Sequence, residues 1–253
     1  MGERIITQKE LDNATRFKDF APVYRVDAET VVKTSKYTRL AEAAAMRLAS
    51  EKTTIPVPEV LNAYTDPATS HVRTVMEFVE GECLEDVWEK LNVGEQQSVI
   101  DQLGDFVAQM RRLKGSLIAS VDGSACEDQI FEDEPGGYGP YETEDAFNKG
   151  IVKAIKNCSD SAWANTICDK VLALKSHDVV FSHGDLMPWN ILVRGSTVVV
   201  VLDWENAGYY PEHWEYVKAL FMPGWDDESI NRVMKPYLAE QAIFRDVRRI
   251  VAW

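Results

Sequence analysis

The sequence predicts an α+β fold in two lobes, a small β-rich N-terminal lobe over residues 1–80 and a larger, mainly helical C-terminal lobe over residues 81–253. Strand-like runs of β-branched residues dominate the first lobe, and helical patterns follow it. The chain has 253 residues, which is long enough for one large domain or two small lobes with a substantial core and no covalent cross-links.

The N-terminal lobe is predicted to contain a sheet and one helix. Residues 23–32 have the pattern of two strands joined by a turn at residues 27–29. Residues 38–51 are rich in alanine, which favours a helix. Residues 72–79 predict a further strand, and Gly81 ends it.

The C-terminal lobe is predicted to begin with two amphipathic helices, because apolar residues recur at helical spacing in residues 84–91 and 103–110. Residues 126–145 are acidic and contain several glycines and prolines, so we expect a loop. Two more helices are predicted, over residues 145–157 and 161–175. Residues 209–216, which combine aromatic and acidic side chains, predict a turn and the start of a helix.

A polar loop between strand-like apolar runs at residues 179–181 and 198–202 is the most informative part of the chain. Asp185 and Asn190 lie five positions apart within it, and Asp203 directly follows the second run. Transfer of a γ-phosphoryl group needs a carboxylate to orient the attacking hydroxyl, and an amide oxygen with a second carboxylate to hold magnesium. The alternative is a loop whose polar residues only satisfy their own backbone.

The spacing of these residues matches the protein-kinase signature, in which H-R-D is followed by an asparagine and then by D-F-G. The corresponding segments are His183-Gly184-Asp185, Asn190 and Asp203-Trp204-Glu205. With HGD in place of HRD, and with DLMPWNILV and VLDWENAGYYPEHWEYVK, most of the chain resembles the aminoglycoside phosphotransferase and choline kinase group. That resemblance implies a two-lobed protein-kinase-like fold.

The same resemblance implies a cytoplasmic phosphotransferase that uses ATP, or GTP, with Mg²⁺ to phosphorylate a hydroxyl of a small molecule. His183 and Asp185 are then expected in the catalytic loop, with Asp185 as the base. Asn190 and Asp203 are expected to bind the metal.

Nucleotide-binding residues are expected in the N-terminal lobe. A lysine that leaves an apolar strand often only extends to solvent, but the resemblance assigns Lys33 to the nucleotide phosphates, with Glu42 of the following helix as its partner. It also implies a hinge in which backbone groups of Glu77 and Val79 meet the adenine edge and Met76 lies behind it. An ordinary strand that ends at a glycine would explain the hinge segment equally well.

A catalytically weak or inactive pseudokinase, which keeps the fold as a ligand-binding module, is the alternative function. Between Met1 and Lys33 the only glycine is Gly2, so a glycine-rich phosphate loop is missing. Met187 stands where active kinases usually have a lysine, or in this group often a histidine, and its side chain has no donor for a phosphate. The sequence-based expectation is that Met187→His preserves or improves turnover.

Composition excludes several other classes of protein. The net charge of −14 argues against nucleic-acid binding. The four cysteines and four histidines have no metal-ligand or CxxC spacing, and no apolar run predicts a signal segment or a membrane span. Residues 204–253 are too few for the activation segment and helical lobe that protein kinases place after D-F-G.

The acceptor is expected to be a small molecule with a positive charge, such as an amine. Acidic residues crowd positions 127–145, and Glu212 and Glu215 are close in sequence to Asp203. An ammonium group is costly to desolvate unless carboxylates meet it. The alternative is an acidic loop that is simply solvated.

Overall fold

Residues 4–17, 22–128, 130 and 138–251 are described by a computed structural model of the protein. In these residues the strands are β1 Thr15–Arg16, β2 Val23–Arg25, β3 Thr30–Ser35, β4 Val60–Thr65, β5 Val72–Glu77, β6 Glu82–Cys83, β7 Ala119–Ser120, β8 Val179–Ser182, β9 Ile191–Arg194, β10 Thr197–Val201 and β11 Gly208–Pro211. The α-helices are α1 Gln8–Asp12, α2 Leu40–Lys52, α3 Leu84–Val87, α4 Val93–Arg112, α5 Glu144–Cys158, α6 Ala162–Leu172, α7 Trp214–Ala219, α8 Asp227–Val233 and α9 Leu238–Val251.

The N-terminal part is built on an antiparallel sheet. Within the described residues its strand order is β1-β2-β3-β5-β4, and β3, at the centre, pairs with β5 from Thr30 opposite Glu77 to Ser35 opposite Val72. Helix α2 packs against β4 and β5 through small buried residues such as Ala45 and Ala49. Alanine has the best helix propensity and lets the helix lie close to the sheet.

The C-terminal part is mainly helical and contains two small sheets of three strands among the described residues. One has the order β10-β9-β6 and the other β7-β11-β8. The polar loop connects β8 in one sheet with β9 in the other, so both of its ends are hydrogen-bonded into strands. The large apolar cluster around this loop includes Phe181, Leu186, Met187 and Trp204.

These features confirm the predicted α+β class, with a sheet-rich N-terminal part and a helical C-terminal part. Two local predictions were wrong in detail. The predicted helix over residues 84–91 is one turn of α-helix, α3, followed by a 3₁₀ turn at Trp88–Lys90. The predicted turn at residue 209 is strand β11, which pairs with β8 before α7 begins. Among the described helices, none is long and apolar enough to cross a membrane.

Candidate active site

The loop after β8 starts with a histidine that faces the protein interior. His183 is fully buried; its Nδ1 accepts a hydrogen bond from the Asp185 backbone N–H at 3.1 Å, and its Nε2 donates to the Leu202 carbonyl at 3.0 Å. Burial lowers the pKa of His183 to about 4, so the ring is neutral at pH 7 and these bonds place its proton on Nε2. The predicted catalytic residue His183 therefore contacts backbone on both sides and fixes the loop to the end of β10.

Gly184 allows the loop to turn sharply after His183. Its φ of +78° lies in the left-handed region, and a Cβ there would come within 2.8 Å of the Asn206 carbonyl oxygen. Only glycine fits both conditions. The turn leaves the Asp185 side chain at the wall of a cleft.

Asp185 and Asn190 are joined directly. The Asn190 Nδ2 donates to the Asp185 Oδ2 at 2.7 Å and to its backbone carbonyl at 3.0 Å. Because the Asn190 amide nitrogen is used in this way, its Oδ1 faces elsewhere, and no donor in the described part of the chain binds it. Burial, together with the neighbouring Asp203 carboxylate, raises the pKa of Asp185 to about 6. Asp185 is thus ionised at pH 7 but close to the range in which it can take a proton.

Lys33 connects the N-terminal sheet with the C-terminal part. Its Nζ donates to the Glu42 Oε1 at 3.0 Å, the Asp203 Oδ1 at 2.7 Å and the Glu205 Oε2 at 2.8 Å. Burial alone would lower the pKa of Lys33, but the three carboxylates raise it well above its ordinary value. The structure therefore brings together Lys33, Glu42 and Asp203, all named from the sequence, and adds Glu205.

Asp203 has an unusual backbone conformation. Its φ is +62°, in the left-handed region that non-glycine residues seldom adopt. The preceding Leu202 N–H donates to the Asn190 carbonyl at 2.7 Å, so the backbones that bear the two predicted metal ligands are directly bonded. Such backbone outliers are found preferentially at functional sites.

The predicted hinge lies at the end of β5. The Glu77 backbone N–H donates to the Glu59 carbonyl at 2.9 Å, so the sheet uses this donor. No acceptor among the described residues takes the Val79 backbone N–H. Met76 is buried on the same strand. The structure thus places Met76 and Glu77 at the end of β5, with Val79 two residues beyond Glu77.

Met187 does not line the cleft, so the structure does not support the reason given for Met187→His, and its effect on turnover stays a prediction. Its side chain is fully buried in the apolar cluster, and its Cε lies 2.7 Å from where a Cβ on Gly224 would stand. A histidine at this position would have to bury an imidazole in an apolar site with close backbone neighbours. The identity of residue 187 is therefore a matter of packing.

Glu215 is a functional residue that the sequence reasoning placed elsewhere. It is buried on α7, and its Oε2 accepts from the backbone N–H groups of His183 at 2.6 Å and Gly184 at 3.2 Å. Burial raises the pKa of Glu215 to about 7. The side chain is buried and is not among the residues that line the cleft, so the structure contradicts the predicted acceptor role of Glu215.

Glu212 also lies away from the cleft. Its backbone N–H donates to the Asp178 carbonyl at 2.9 Å, and its carbonyl accepts from Arg111. This places it at the start of β8, at the other end from the catalytic loop, so its predicted role in the acceptor site was wrong as well.

A cleft of about 200 Å³ opens beside Asp185. Five carboxylates and one guanidinium group are among its lining residues, which are Tyr37, Arg39, Glu42, Glu127, Asp128, Asp185, Glu205 and Asn206. The predicted acidic segment therefore does contribute to the site through Glu127 and Asp128. Residues 131–137 of the same segment, which include Glu132, Asp133 and Glu134, lie outside the described residues.

Four of the five cleft acids already have basic partners: Glu42 and Glu205 bind Lys33, and Glu127 and Asp128 have partners of their own. The Arg39 Nη1 lies 2.6 Å from the Glu127 Oε2, and the Lys218 Nζ lies 2.9 Å from the Asp128 Oδ2. The Lys218–Asp128 pair is buried, whereas Glu127 is partly exposed. The Lys218–Asp128 pair is thus held inside the protein, whereas the Arg39–Glu127 pair lies at the cleft surface.

The fold and the site define a kinase-like phosphotransferase: a strand lysine paired with a helix glutamate faces the sequential Asp, Asn and Asp of a second lobe. The chain belongs to the phosphotransferase enzyme family (APH), whose model matches residues 19–250. No curated protein matches the sequence.

Solved structures of aminoglycoside phosphotransferases have the same fold. A thermostable mutant of APH(4)-Ia in its apo form is similar with a TM-score of 0.64 and 15% identity, covering 94% of this chain and 83% of that one. A ternary complex of a related mutant with ADP and hygromycin B has a TM-score of 0.62 and 15% identity, with the same coverage. The GDP and kanamycin complex of APH(2")-IIIa has a TM-score of 0.62 and 14% identity, covering 92% and 80%.

Proposed function

We propose that this phosphotransferase moves the γ-phosphoryl group of ATP, or of GTP, to a hydroxyl of a small amine-containing molecule. The observation that carries the proposal is the meeting of Lys33 with Asp203 at 2.7 Å. These residues are 170 positions apart, yet the fold brings the strand lysine to the carboxylate that follows the catalytic loop. Asp185 and Asn190 lie next to this ion pair, and Asp203 contributes to the raised pKa of Asp185.

Asn190 and Asp203 are the residues that would hold Mg²⁺. An amide oxygen and a carboxylate are the hard oxygen ligands that this ion prefers, and the Asn190 Oδ1 has no donor among the described residues. When bound, the metal neutralises charge on the phosphates. Lys33 supplies a second positive charge from the N-terminal sheet.

Asp185 is proposed as the base that orients the acceptor hydroxyl and takes its proton. It borders the cleft, and Asn190 holds one of its oxygens. His183 and Glu215 hold the backbone on which it sits. His183 is thus proposed as a positioning residue in this loop, since both of its ring nitrogens bind backbone atoms.

The base of the nucleotide is proposed to lie against the end of β5. A free N–H at Val79 and a carbonyl at Glu77 would meet the adenine edge, with Met76 behind it. Of the similar phosphotransferases, one forms a complex with ADP and another with GDP, so both nucleotides are candidates here.

The acceptor is proposed to carry an amine because the cleft wall is rich in carboxylates. Glu127 is placed to meet an ammonium group, since its ion pair with Arg39 lies at the partly exposed cleft surface, whereas Glu42 and Asp128 are buried in other ion pairs. The similar structures include complexes with hygromycin B and with kanamycin. If the pairing is electrostatic, KM should rise with ionic strength.

Nucleotide binding is the direct test of the site, because it requires no knowledge of the acceptor. ATP and GTP should each be titrated into the wild type with and without Mg²⁺, and thermal unfolding should be followed, since a ligand of the folded state raises apparent stability. We expect a magnesium-dependent stabilisation that Asp203→Asn weakens. Asp101→Asn, the same change on an exposed face of α4, should behave as wild type.

Transfer itself is tested by ADP release in the presence of hydroxyl compounds that do or do not contain an amine. Release that depends on an added alcohol and is lost in Asp185→Asn would support the proposal. Magnesium-dependent nucleotide binding without transfer to any alcohol would favour the pseudokinase. An active enzyme whose acceptor is neutral, and whose KM is unaffected by Glu127→Gln, would contradict only the amine.

A further inference from the structure

A cluster of histidines and carboxylates lies at the end of β8 that is remote from the catalytic loop. His177 precedes β8 by two residues and His183 follows it directly, so the strand separates the cluster from the active site. Glu144 at the start of α5, His213 just before α7 and Glu240 in the first turn of α9 complete the cluster. Their sequence spacing is long and irregular, which is why no metal motif is visible in the sequence.

The groups in this cluster are close enough to share one ion. A ligand atom from each of Glu144, His177 and His213 lies within 4.8 Å of the other two. The His177 Nδ1 is 2.5 Å from the Glu144 Oε1, and its Nε2 is 3.3 Å from the Glu240 Oε1. The His177 and His213 rings are 4.6 Å apart between centroids.

Hydrogen bonding among the side chains does not explain the burial of His213. It is fully buried, and among the described residues neither of its ring nitrogens has a hydrogen-bond partner. A buried imidazole without partners is unfavourable, because its nitrogens lose their bonds to water. An ion pair between His177 and its two carboxylates would leave the nitrogen lone pair of His213 unused, whereas a metal ion would accept it.

We propose that Glu144, His177 and His213 bind a zinc-type divalent cation. Two imidazoles and a carboxylate are a ligand set that Zn²⁺ uses in proteins. The carboxylates of Glu144 and Glu240 would balance the two charges of the ion. In this arrangement the Nδ1 of His177 binds the metal, and its Nε2–H donates to Glu240, which orients the ring in the way that outer carboxylates do for metal-bound histidines.

The cation would have a structural role. Its ligands come from the start of α5, the segment before β8 and the segment between β11 and α7, and Glu240 adds α9. Helix α7 also carries Glu215, the anchor of the catalytic loop, two residues after His213. The ion would therefore fasten the elements behind the catalytic loop to each other without contacting substrate.

Cobalt(II) is the probe of choice. It has visible absorption bands when it is bound by imidazoles at low coordination number, whereas in an octahedral site of oxygen ligands its bands are very weak. Full-length protein stripped with a chelator should bind one equivalent of Co²⁺ with such a band, and Zn²⁺ should displace it and raise the thermal stability. His177→Gln and Glu144→Gln, both at partly exposed positions, should abolish the band. Glu240→Gln should weaken binding by roughly 10- to 100-fold, as expected for an outer partner.

Two control variants make the result specific. His71→Gln, the same change at a partly exposed histidine directly before β5, should keep the cobalt band. Asp203→Asn, which removes a ligand of the proposed magnesium site, should keep it too, and its loss there would assign the metal to the active site. The proposal is overturned if stripped wild type shows no saturable band, or if folded His177→Gln binds cobalt as wild type does; the wild-type titration decides the matter even where a variant fails to fold.

Discussion

Replacing Glu215 by glutamine should change how the stability of the protein depends on pH. Glu215 is 2% exposed, and only its Oε2 is bonded, by two backbone N–H groups of the catalytic loop. Its Oε1 has no partner among the described residues. Glutamine has the same shape and keeps an acceptor oxygen for the loop, but it cannot take up or release a proton.

The size of the effect follows from the pKa of the buried carboxyl group. Burial raises it from 4.5 to about 7, so the folded protein binds this proton more tightly than the unfolded chain. The stability linked to it is fully present below pH 4.5 and is lost as the pH rises through about 7. Since a shift of one pKa unit corresponds to about 1.4 kcal/mol, the free energy of unfolding falls by about 3 kcal/mol.

Urea denaturation at a series of pH values between 4.5 and 8 measures this directly. The free energy of unfolding of the wild type should fall by about 3 kcal/mol more over this range than that of Glu215→Gln. Taking the difference removes the contributions of Glu42 and Asp185, which both proteins share. Glu85→Gln, the same change at an exposed position, is the matched control. Parallel curves for wild type and Glu215→Gln would refute the picture of a buried carboxyl group that titrates near neutrality.

Three further predictions concern the catalytic loop. Asp185→Asn should bind nucleotide as wild type does, while kcat, measured by ADP release, should fall by roughly 10²- to 10⁴-fold, because a carboxamide cannot take the hydroxyl proton. An equal loss of nucleotide binding would show that Asp185 is not the base. Asp203→Asn should weaken magnesium-dependent nucleotide binding in calorimetry more than Asn190→Ala does, since the charged ligand attracts the metal more strongly, and the reverse order would contradict the assignment. Met187→His should lower the free energy of unfolding by about 1–3 kcal/mol, because it buries a polar ring in a packed core, and a variant with wild-type urea midpoint would show that the side chain finds another position.

The fold was predictable from the sequence where patterns are local. The paired strands at residues 23–32 and the alanine-rich helix after them are encoded by alternation and propensity within a few positions. Strand β11 was missed because its sequence, Gly208–Pro211, is short and ends in proline, and it becomes a strand through pairing with β8 and β7. A pairing of that kind has no local signal.

The candidate site was predictable to the extent that one short motif contains it. Asp185, Asn190 and Asp203 follow a spacing that the chemistry requires, so they could be named together. Glu215 could not be assigned, because its partners are two backbone N–H groups more than 30 residues before it. The available signal is an acid within helix α7, whose six residues are all buried. A carboxylate in such surroundings needs an internal partner.

The three carboxylates around Lys33 bear on how the proposed nucleotide and magnesium binding depend on each other. Asp203 is bonded to Lys33, and the proposed function also requires Asp203 to bind a metal ion. Glu42 and Glu205 bind the same ammonium group at 3.0 and 2.8 Å, so Lys33 keeps two partners when Asp203 turns to the metal. Under the proposed function, Lys33 would meet the phosphates and Asp203 would meet Mg²⁺, so that both charges would stay paired. Nucleotide without metal would leave Asp203 facing the phosphates, which is the physical reason to expect binding to depend on magnesium.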